Sequence, residues 1–298
     1  MSYRLAALNL GLRLLAKPGL RRTFGPGQAR RNLRCMSILL RRPPFLRRIE
    51  RPGGLHWIFA GHCAPGRVIL YFHGGGYITD SPATHQGIMG RLSLLSRTEV
   101  CAPDYPLAPD APFPAAYDAA AAAWDRLLAL GYRPRDICLA GDSAGGGIAL
   151  ALLARCCARA EPPAGAVVFS PWTDLSMSGR SLAKNARRDP FLPPSRMGDL
   201  VALILGGGDA QDPRISPLFA SFPNCPPVMI HHSQSEILAD DSRRMAARLE
   251  SLGARVQLVA LPDVPHAWPV FDGWIPEARA TLQQAAGFVQ ASFAEISR

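Results

Sequence analysis

One serine lies between two glycines, at the point where an apolar run meets a helical pattern. Residues 141–145 are Gly-Asp-Ser-Ala-Gly, which end the apolar run 136–142 and open a helix-forming stretch. A nucleophilic serine at a sharp strand-to-helix turn needs a strained backbone, and small neighbours leave room for it. The pattern therefore predicts Ser143 as the nucleophile of an acyl transfer. A serine that only caps the helix, or a loop that cradles phosphate, is the alternative that this context disfavours.

A run of three glycines precedes this serine in the chain. HGGGY (73–77) follows the apolar run 67–72. Glycines let the backbone approach a ligand and point N–H groups at one place, which acyl transfer requires where negative charge develops on the carbonyl oxygen. We interpret His73 as a structural residue that braces this loop. The expected donors to the oxyanion are the N–H groups of Gly75, Gly76 and Ala144.

A serine nucleophile needs a histidine base and an acid that orients the histidine. When the serine follows a strand in this way, the acid and then the histidine come later in the chain. The histidines after Ser143 are His231, His232 and His266. The first two lie inside an apolar run that is expected to be a strand, whereas His266 follows the last such run. We therefore predict His266 as the base.

The acid is expected in the loop after the run 227–233, at the same edge of the sheet. The segment 235–241, SEILADD, offers three carboxylates. Glu236 falls in the loop, whereas Asp240 and Asp241 fall in the first turn of the next helix, where acids also stabilise the helix dipole. We predict Glu236 as the residue that orients His266, with Asp240 as the alternative.

Short apolar runs alternate with helical patterns from about residue 67 onward. This alternation indicates a mostly parallel central sheet flanked by helices, in one domain over residues 1–298. Together with the serine motif at a strand-to-helix turn, it predicts the α/β-hydrolase fold class. The predicted strands are 67–72, 99–105, 136–142, 165–172, 227–233 and 255–262. The predicted helices are 83–97, 114–130, 144–160, 238–252 and 276–297.

Two regions interrupt the alternation of strands and helices. They are the N-terminal arm, about residues 1–52, and an insert, about residues 176–226. Segments inserted into an open α/β sheet commonly lie over the carboxyl ends of its strands, where ligands bind. We therefore expect the arm and the insert to form a helical cap over the active site.

The positive charge of the chain is concentrated in the arm. Residues 1–53 hold 13 of the 33 basic residues and one of the 23 acidic residues, which leaves a nearly neutral body of 20 basic and 22 acidic residues. The arm lacks the aromatic interleaving and the motifs of a nucleic-acid surface. We therefore expect no nucleic-acid partner, while a weak contact of the arm with acidic membrane surfaces stays open.

The cysteines and the N-terminal residues indicate a cytoplasmic protein. The seven cysteines are odd in number and show no spacing typical of a metal site, so they are expected to be reduced thiols. Arg13 and Lys17 interrupt the apolar residues near the N-terminus before a signal sequence or an 18-residue apolar span can form. The expectation is a cytoplasmic protein without a metal ion, and the alternative that stays open is a mitochondrial-type presequence, which is also rich in arginine and amphipathic.

Further short motifs accompany HGGGY and GDSAGG between residues 73 and 268. They are DYPLAP (104–109), PFPAAYDAA (112–120), SPWTDLS (170–176), DPFLPP (189–194), SPL (216–218), SEILADD (235–241) and PHAW (265–268). In this order the motifs resemble the hormone-sensitive lipase-like family of esterases. The sequence departs from many members of that family at one position, where Glu236 stands in place of an aspartate.

The resemblance implies a carboxylesterase that hydrolyses short- to medium-chain acyl esters through an acyl-enzyme. It also implies a cap built from the arm and the insert, a small-molecule ester as substrate, and no cofactor. Because relatives are often dimers, a homodimer stays open. The side chains that could line the substrate pocket are Tyr77, Trp172, Phe191 and Leu238. Three further aspartates in the motifs are interpreted as structural: Asp142, Asp174 and Asp189.

Two other classes of function stay open at this point. An amidase or acyltransferase would use the same nucleophile with a different leaving group or acceptor. A receptor-like protein that binds a small molecule without hydrolysing it is also covered by the resemblance. Receptors of this kind lack an intact triad, and here Ser143, Glu236 and His266 are all present, so the sequence favours an enzyme.

Overall fold

An eight-stranded sheet forms the centre of the protein. The structure is a computed structural model, and it describes residues 2–23, 25–51 and 54–295. The strand order of the sheet is β1-β2-β4-β3-β5-β6-β7-β8. The pairings of β1 with β2 and of β2 with β4 are antiparallel, and the others are parallel. The strands are β1 (Arg47–Arg51), β2 (Leu55–Phe59), β3 (Val68–Phe72), β4 (Glu99–Pro103), β5 (Ile137–Asp142), β6 (Gly165–Phe169), β7 (Val228–Ser233) and β8 (Val256–Leu261).

The mostly parallel sheet predicted from the sequence is confirmed. The six predicted strands correspond to β3 through β8, and the largest difference is at the end of β6. This strand was expected to continue to residue 172, but Ser170 adopts a φ of 47°, which ends the extended backbone at Phe169.

The two antiparallel strands at one edge of the sheet were not predicted. The arm was expected to belong to a cap as far as about residue 52, whereas Arg47–Arg51 is the edge strand β1 and pairs with β2. All five residues of β1 are exposed and four of them are charged, so the segment shows no alternation of apolar and polar residues. Charged side chains on an edge strand disfavour pairing with other chains. Residues 52 and 53 lie outside the described part of the chain.

Helices cover both faces of the sheet and confirm the predicted helices to within about three residues at their ends. Helices α4 and α10 pack on one face, and α5, α6 and α9 pack on the other. Their bounds are α4 (Gln86–Ser96), α5 (Ala115–Ala129), α6 (Ala144–Ala158), α9 (Ala239–Ser251) and α10 (Pro276–Glu295). The last two residues of the helix predicted over 276–297 lie outside the described part. Side chains of β3 alternate between the two faces: Val68, Leu70 and Phe72 face α5 and α6, and Ile69 and Tyr71 face α4.

The arm and the insert lie against each other. Arg13 donates to the carbonyl oxygens of Arg187 and Arg188, and Lys17 donates to those of Ala186 and Asp189. The helices of the arm are α1 (Tyr3–Gly11), a π-helical turn (Leu12–Ala16), α2 (Lys17–Arg21) and α3 (Pro26–Ser37), and those of the insert are α7 (Ser181–Lys184) and α8 (Met197–Leu205). In the described residues, no helix combines the length and the apolar character needed to cross a membrane.

Candidate active site

Ser143 lies on a strained turn between β5 and α6. Its φ is 54° and its ψ is −123°, a combination that is costly for a residue with a side chain. The flanking glycines are required by space, because a Cβ at Gly141 would lie 2.4 Å from the Gly145 carbonyl oxygen and a Cβ at Gly145 would lie 2.1 Å from that of Phe72. The Ser143 hydroxyl is thereby held at the carboxyl end of the sheet, just before the first turn of α6.

The three residues predicted to act together are in hydrogen-bond contact. His266 Nε2 lies 2.8 Å from Ser143 Oγ, and His266 Nδ1 lies 2.6 Å from Glu236 Oε2. His266 is in the loop after β8, Glu236 is in the loop after β7, and both side chains are buried. The three side chains form one continuous chain of hydrogen bonds that ends at the serine hydroxyl.

The electrostatic surroundings of His266 favour its charged form. Burial opposes the imidazolium, but the hydrogen bond and the negative charge of Glu236 outweigh it, so the pKa of His266 is raised above its ordinary value. A base that gains a proton from serine becomes an imidazolium, and a carboxylate at Nδ1 stabilises that state. The arrangement can therefore take a proton from Ser143 and hold it.

Asp240, the alternative acid, has different partners. Its Oδ2 accepts a hydrogen bond from the Ser181 N–H at 2.9 Å, and its Oδ1 lies 3.1 Å from an Arg243 nitrogen. These contacts tie α7 of the insert to the first turn of α9. The geometry therefore favours Glu236 over Asp240 as the residue that orients His266.

The glycine loop after β3 has a backbone that exposes its N–H groups. Gly75 and Gly76 have φ values of 106° and 60°, and a Cβ at Gly75 would lie 2.3 Å from the Thr79 carbonyl oxygen. Ala144 is the first residue of α6, where an N–H has no partner within the helix. No described residue accepts a hydrogen bond from the N–H groups of Gly75, Gly76 or Ala144. Free donors of this kind are what an oxyanion hole requires.

Several residues that the sequence analysis did not select hold the loops of Glu236 and His266 in place. The Asn185 amide donates to the Glu236 carbonyl oxygen at 2.8 Å, and the Ser233 N–H donates to Glu236 Oε1 at 3.0 Å. Ser170 Oγ accepts from the Ala267 N–H at 3.1 Å. Ser170 opens the motif SPWTDLS, but the sequence gives no sign that it supports the loop of His266. Asn185 lies in none of the motifs, so the sequence carries no signal for it.

Asp189 of the predicted DPFLPP motif also supports this loop. Its Oδ2 accepts a hydrogen bond from the Ile237 N–H at 2.9 Å, and its Oδ1 accepts from the N–H groups of Phe191 and Leu192. Because Lys17 of the arm donates to the Asp189 carbonyl oxygen, the arm, the insert and the loop of Glu236 are joined through one residue. These contacts agree with the structural role expected of Asp189.

His73 has contacts of a structural kind. Its Nδ1 lies 2.7 Å from the Gly74 carbonyl oxygen, and its ring stacks on that of Tyr105 with a centroid distance of 4.2 Å. Burial and the nearby charge of His85 lower the pKa of His73 to about 3, so the ring stays neutral. His73 therefore supports the glycine loop, as the sequence analysis interpreted it.

The four residues predicted to line a substrate pocket are not brought together in one cavity. Trp172 and Leu238 line one small cavity and Tyr77 lines another, and neither cavity is lined by Ser143, Glu236 or His266. Phe191 is part-buried and lines neither cavity. The backbone of Trp172 is hydrogen-bonded to that of the serine: the Trp172 N–H donates to the Ser143 carbonyl oxygen at 3.0 Å.

Histidine, cysteine, aspartate and glutamate side chains are the usual protein ligands of metal ions. Within residues 2–23, 25–51 and 54–295, no three such side chains are grouped closely enough to hold an ion. The polar groups around Ser143 instead pair with one another.

Comparison with known proteins places the chain in a family. A profile of the alpha/beta hydrolase fold matches residues 69–270. The chain belongs to this family. An acetyl-hydrolase of Streptomyces hygroscopicus is 33% identical over 248 residues, which cover 80% of this chain and 83% of that protein. An esterase of Acinetobacter venetianus is 34% identical over 225 residues, which cover 74% of each.

Solved structures extend the likeness of this α/β hydrolase to nearly its whole length. The crystal structure of an esterase from the bacterial hormone-sensitive lipase family superposes with a TM-score of 0.92 at 32% identity, and covers 98% of this chain and 99% of that one. The resemblance to the hormone-sensitive lipase-like family, first suggested by short motifs, is therefore confirmed.

A buried ion pair lies behind the nucleophile of this α/β hydrolase. Asp142 accepts hydrogen bonds from the Tyr71 hydroxyl at 2.8 Å and from the Gly74 N–H at 3.2 Å, and its Oδ2 lies 3.5 Å from His85 Nε2. The residue before the serine is thus joined to the glycine loop. These contacts agree with the structural role predicted for Asp142, and His85 is a partner that the sequence analysis did not find.

We expect this pair to make stability depend on pH. Burial disfavours the charged form of His85, but the charges of Asp142 and Asp80 outweigh it and raise the pKa of His85 from 6.5 to about 9. The folded protein therefore keeps a proton that the unfolded chain releases, so the free energy of unfolding falls as the pH rises from about 6.5 to 9, by up to about 3 kcal/mol. Denaturant unfolding across this pH range measures the effect.

His85→Gln is the variant that isolates this contribution, because glutamine can keep a hydrogen bond to Asp142 but carries no charge. Other buried groups titrate in both proteins, and their contribution cancels in the difference. We expect the variant to be less stable than the wild type at pH 6.5 and the gap to close toward pH 9. Parallel pH profiles for the two proteins would contradict the assignment of the charge to His85.

Proposed function

We propose that this protein is a serine carboxylesterase that hydrolyses short- to medium-chain acyl esters. The observation that carries the proposal is the unbroken chain of hydrogen bonds from Glu236 through His266 to the Ser143 hydroxyl. The relatives named acetyl-hydrolase and esterase support ester hydrolysis as the reaction class. The strained backbone of Ser143 and the free N–H groups beside it supply the other parts that acyl transfer needs.

The proposed mechanism has two half-reactions. His266 Nε2 takes the proton of Ser143 Oγ as the oxygen attacks the ester carbonyl, and the N–H groups of Gly75, Gly76 and Ala144 stabilise the oxyanion. His266 then returns the proton to the leaving alcohol, and an acyl-enzyme remains. In the second half, His266 takes a proton from water as the water oxygen attacks the acyl carbonyl. His266 then returns this proton to Ser143 Oγ as the acid leaves.

The proposed limit on substrate size follows from how the arm and the insert lie against the glycine loop. Arg30 of the arm donates to the carbonyl oxygen of Ile78, just after HGGGY. The insert closes one side of the glycine loop, because Leu200 of α8 lies 3.3 Å from where a Cβ of Gly76 would be. The arm and the insert therefore act, in this proposal, as a cap that limits the length of the acyl chain.

A paired substrate series tests the reaction class. p-Nitrophenyl esters from acetyl to palmitoyl vary the acyl chain, and the matching p-nitroanilides change only the leaving group. We expect turnover of the short esters, a decline toward palmitoyl, and little turnover of the anilides. Preference for the anilides would replace the esterase by an amidase. Absence both of turnover and of reaction with a covalent serine probe would favour a receptor-like protein.

Gly75→Ala tests the oxyanion hole. A Cβ at this position collides with the Thr79 carbonyl oxygen and must displace the loop that carries the donors, so we expect kcat for a short ester to fall by about 10² to 10³-fold. Gly131→Ala is a matched control, because Gly131 has a similar φ of 95° but no atom within 4 Å of its Cβ position. Equal losses of activity in the two variants would point to backbone strain alone.

A further inference from the structure

Exposed apolar side chains are concentrated in the arm. Of the fourteen large apolar side chains that are exposed in the described residues, eight precede residue 52. Leu15 and Phe45 are 78% and 86% exposed, whereas the six exposed apolar side chains outside the arm are 38% to 43% exposed. The seven that lie in the helical part of the arm and just after it are Tyr3, Leu10, Leu14, Leu15, Ile38, Leu39 and Phe45.

The first helices of the arm are apolar on two opposite sides. Leu5 and Leu12 are buried, and Leu5 packs against Val264 and Trp268 of the body. Tyr3, Leu10 and Leu14 are seven and four residues apart, a spacing that places them on one face of a helix, away from the buried leucines. A helix that only packed on the body would carry polar residues there.

The two exposed parts of the arm adjoin the same segment of the body. The Ser2 N–H donates to Glu277, and the Trp274 indole N–H donates to the Leu39 carbonyl oxygen at 2.9 Å. Trp274 is itself 42% exposed, and the Arg41 guanidinium lies over its ring. We call the seven exposed apolar residues together with Trp274 the outer arm surface.

Two groups of cations in the arm differ in their partners. Arg13, Lys17 and Arg30 donate to carbonyl oxygens of the insert or the body, and those that accept from Arg30 belong to Ile78 and Ala108. The other group is exposed, and in the described part of the chain no carboxylate lies within ion-pair distance of any of its members. It consists of Arg21, Arg22, Arg31, Arg34 and Arg42. Unpaired cations thus border the outer arm surface.

We propose that the outer arm surface docks the protein on membranes that contain anionic lipid. Apolar side chains with arginines beside them match a lipid interface, where the acyl region accepts the former and the headgroups pair with the latter. A second copy of this chain is disfavoured because two arms of the same strong positive charge repel each other. The proposal does not depend on the proposed esterase activity.

Vesicle co-sedimentation of the full chain tests this docking. We expect binding to vesicles of phosphatidylcholine mixed with phosphatidylglycerol, weak binding to phosphatidylcholine alone, and loss of binding at high salt. Arg31→Ser with Arg34→Ser, and separately Leu14→Ser with Leu15→Ser, should each weaken binding by about tenfold or more. Turnover of a soluble short ester should stay at the wild-type level in both double variants, which shows that they fold.

Matched controls keep the test specific to the arm. Arg126→Ser with Arg135→Ser removes two exposed charges elsewhere, and Leu130→Ser with Leu252→Ser removes two exposed leucines elsewhere. Both controls should bind vesicles like the wild type. Absence of vesicle binding, equal losses in the controls, or arm variants that change only the oligomeric state measured by light scattering would each overturn the proposal.

Discussion

Replacing Ser143 by alanine is expected to lower kcat for a short ester by about 10⁶-fold, the scale seen when a serine nucleophile is removed from a triad. The hydroxyl is the atom that would bond to the acyl carbon, and no other described hydroxyl lies at His266 Nε2. The variant should also lose reaction with a covalent phosphonate probe. Initial rates and intact-protein mass spectrometry measure the two effects.

The fold should survive this change, because Ser143 is held by its backbone. The Ser143 N–H donates to the Phe169 carbonyl oxygen at 2.9 Å, and the alanine variant keeps this bond. Ser251→Ala is a matched control at an exposed position at the end of α9. It should match the wild type in rate and in probe labelling. A Ser143→Ala protein that still turned over esters would disprove the assignment of the nucleophile.

The sequence was sufficient to select the residues of the candidate site because each occupies a position set by the sheet. Ser143, Glu236 and His266 follow β5, β7 and β8, and the carboxyl ends of parallel strands meet at one edge. Identifying the strands therefore brings together residues that are 93 and 123 positions from the serine. The distances between their side chains depend on the conformations of the loops after these strands, which the sequence patterns do not predict.

What the sequence did not predict depends on contacts between distant segments. Asn185 and His85 carry no motif, and their roles arise only because an insert and a loop fold against the carboxyl edge of the sheet. Strand β1 was missed for a different reason. Its residues are all exposed, so its pairing is determined by β2 and not by an apolar pattern.

Glu236→Gln is expected to lower kcat by about 10⁴-fold by stabilising the wrong tautomer of His266. The Ser233 N–H donates to Oε1 of Glu236, so a glutamine would keep its carbonyl oxygen there and turn its NH₂ group toward His266 Nδ1. Nδ1 must then accept, and Nε2 carries the proton. A protonated Nε2 cannot take the proton of Ser143, so the base is lost although the hydrogen bonds are retained.

The pH profile of this variant separates loss of the acid from misfolding. Glu236 helps to raise the pKa of His266, so its loss lowers that pKa, and the acid limb of the residual kcat/KM should move to lower pH. Asp240→Asn is the matched control, and it should keep nearly the wild-type kcat and an unshifted acid limb. A carboxylate that orients the base cannot be neutralised without loss of rate. If Asp240→Asn lost activity and Glu236→Gln kept it, the acid would therefore be Asp240.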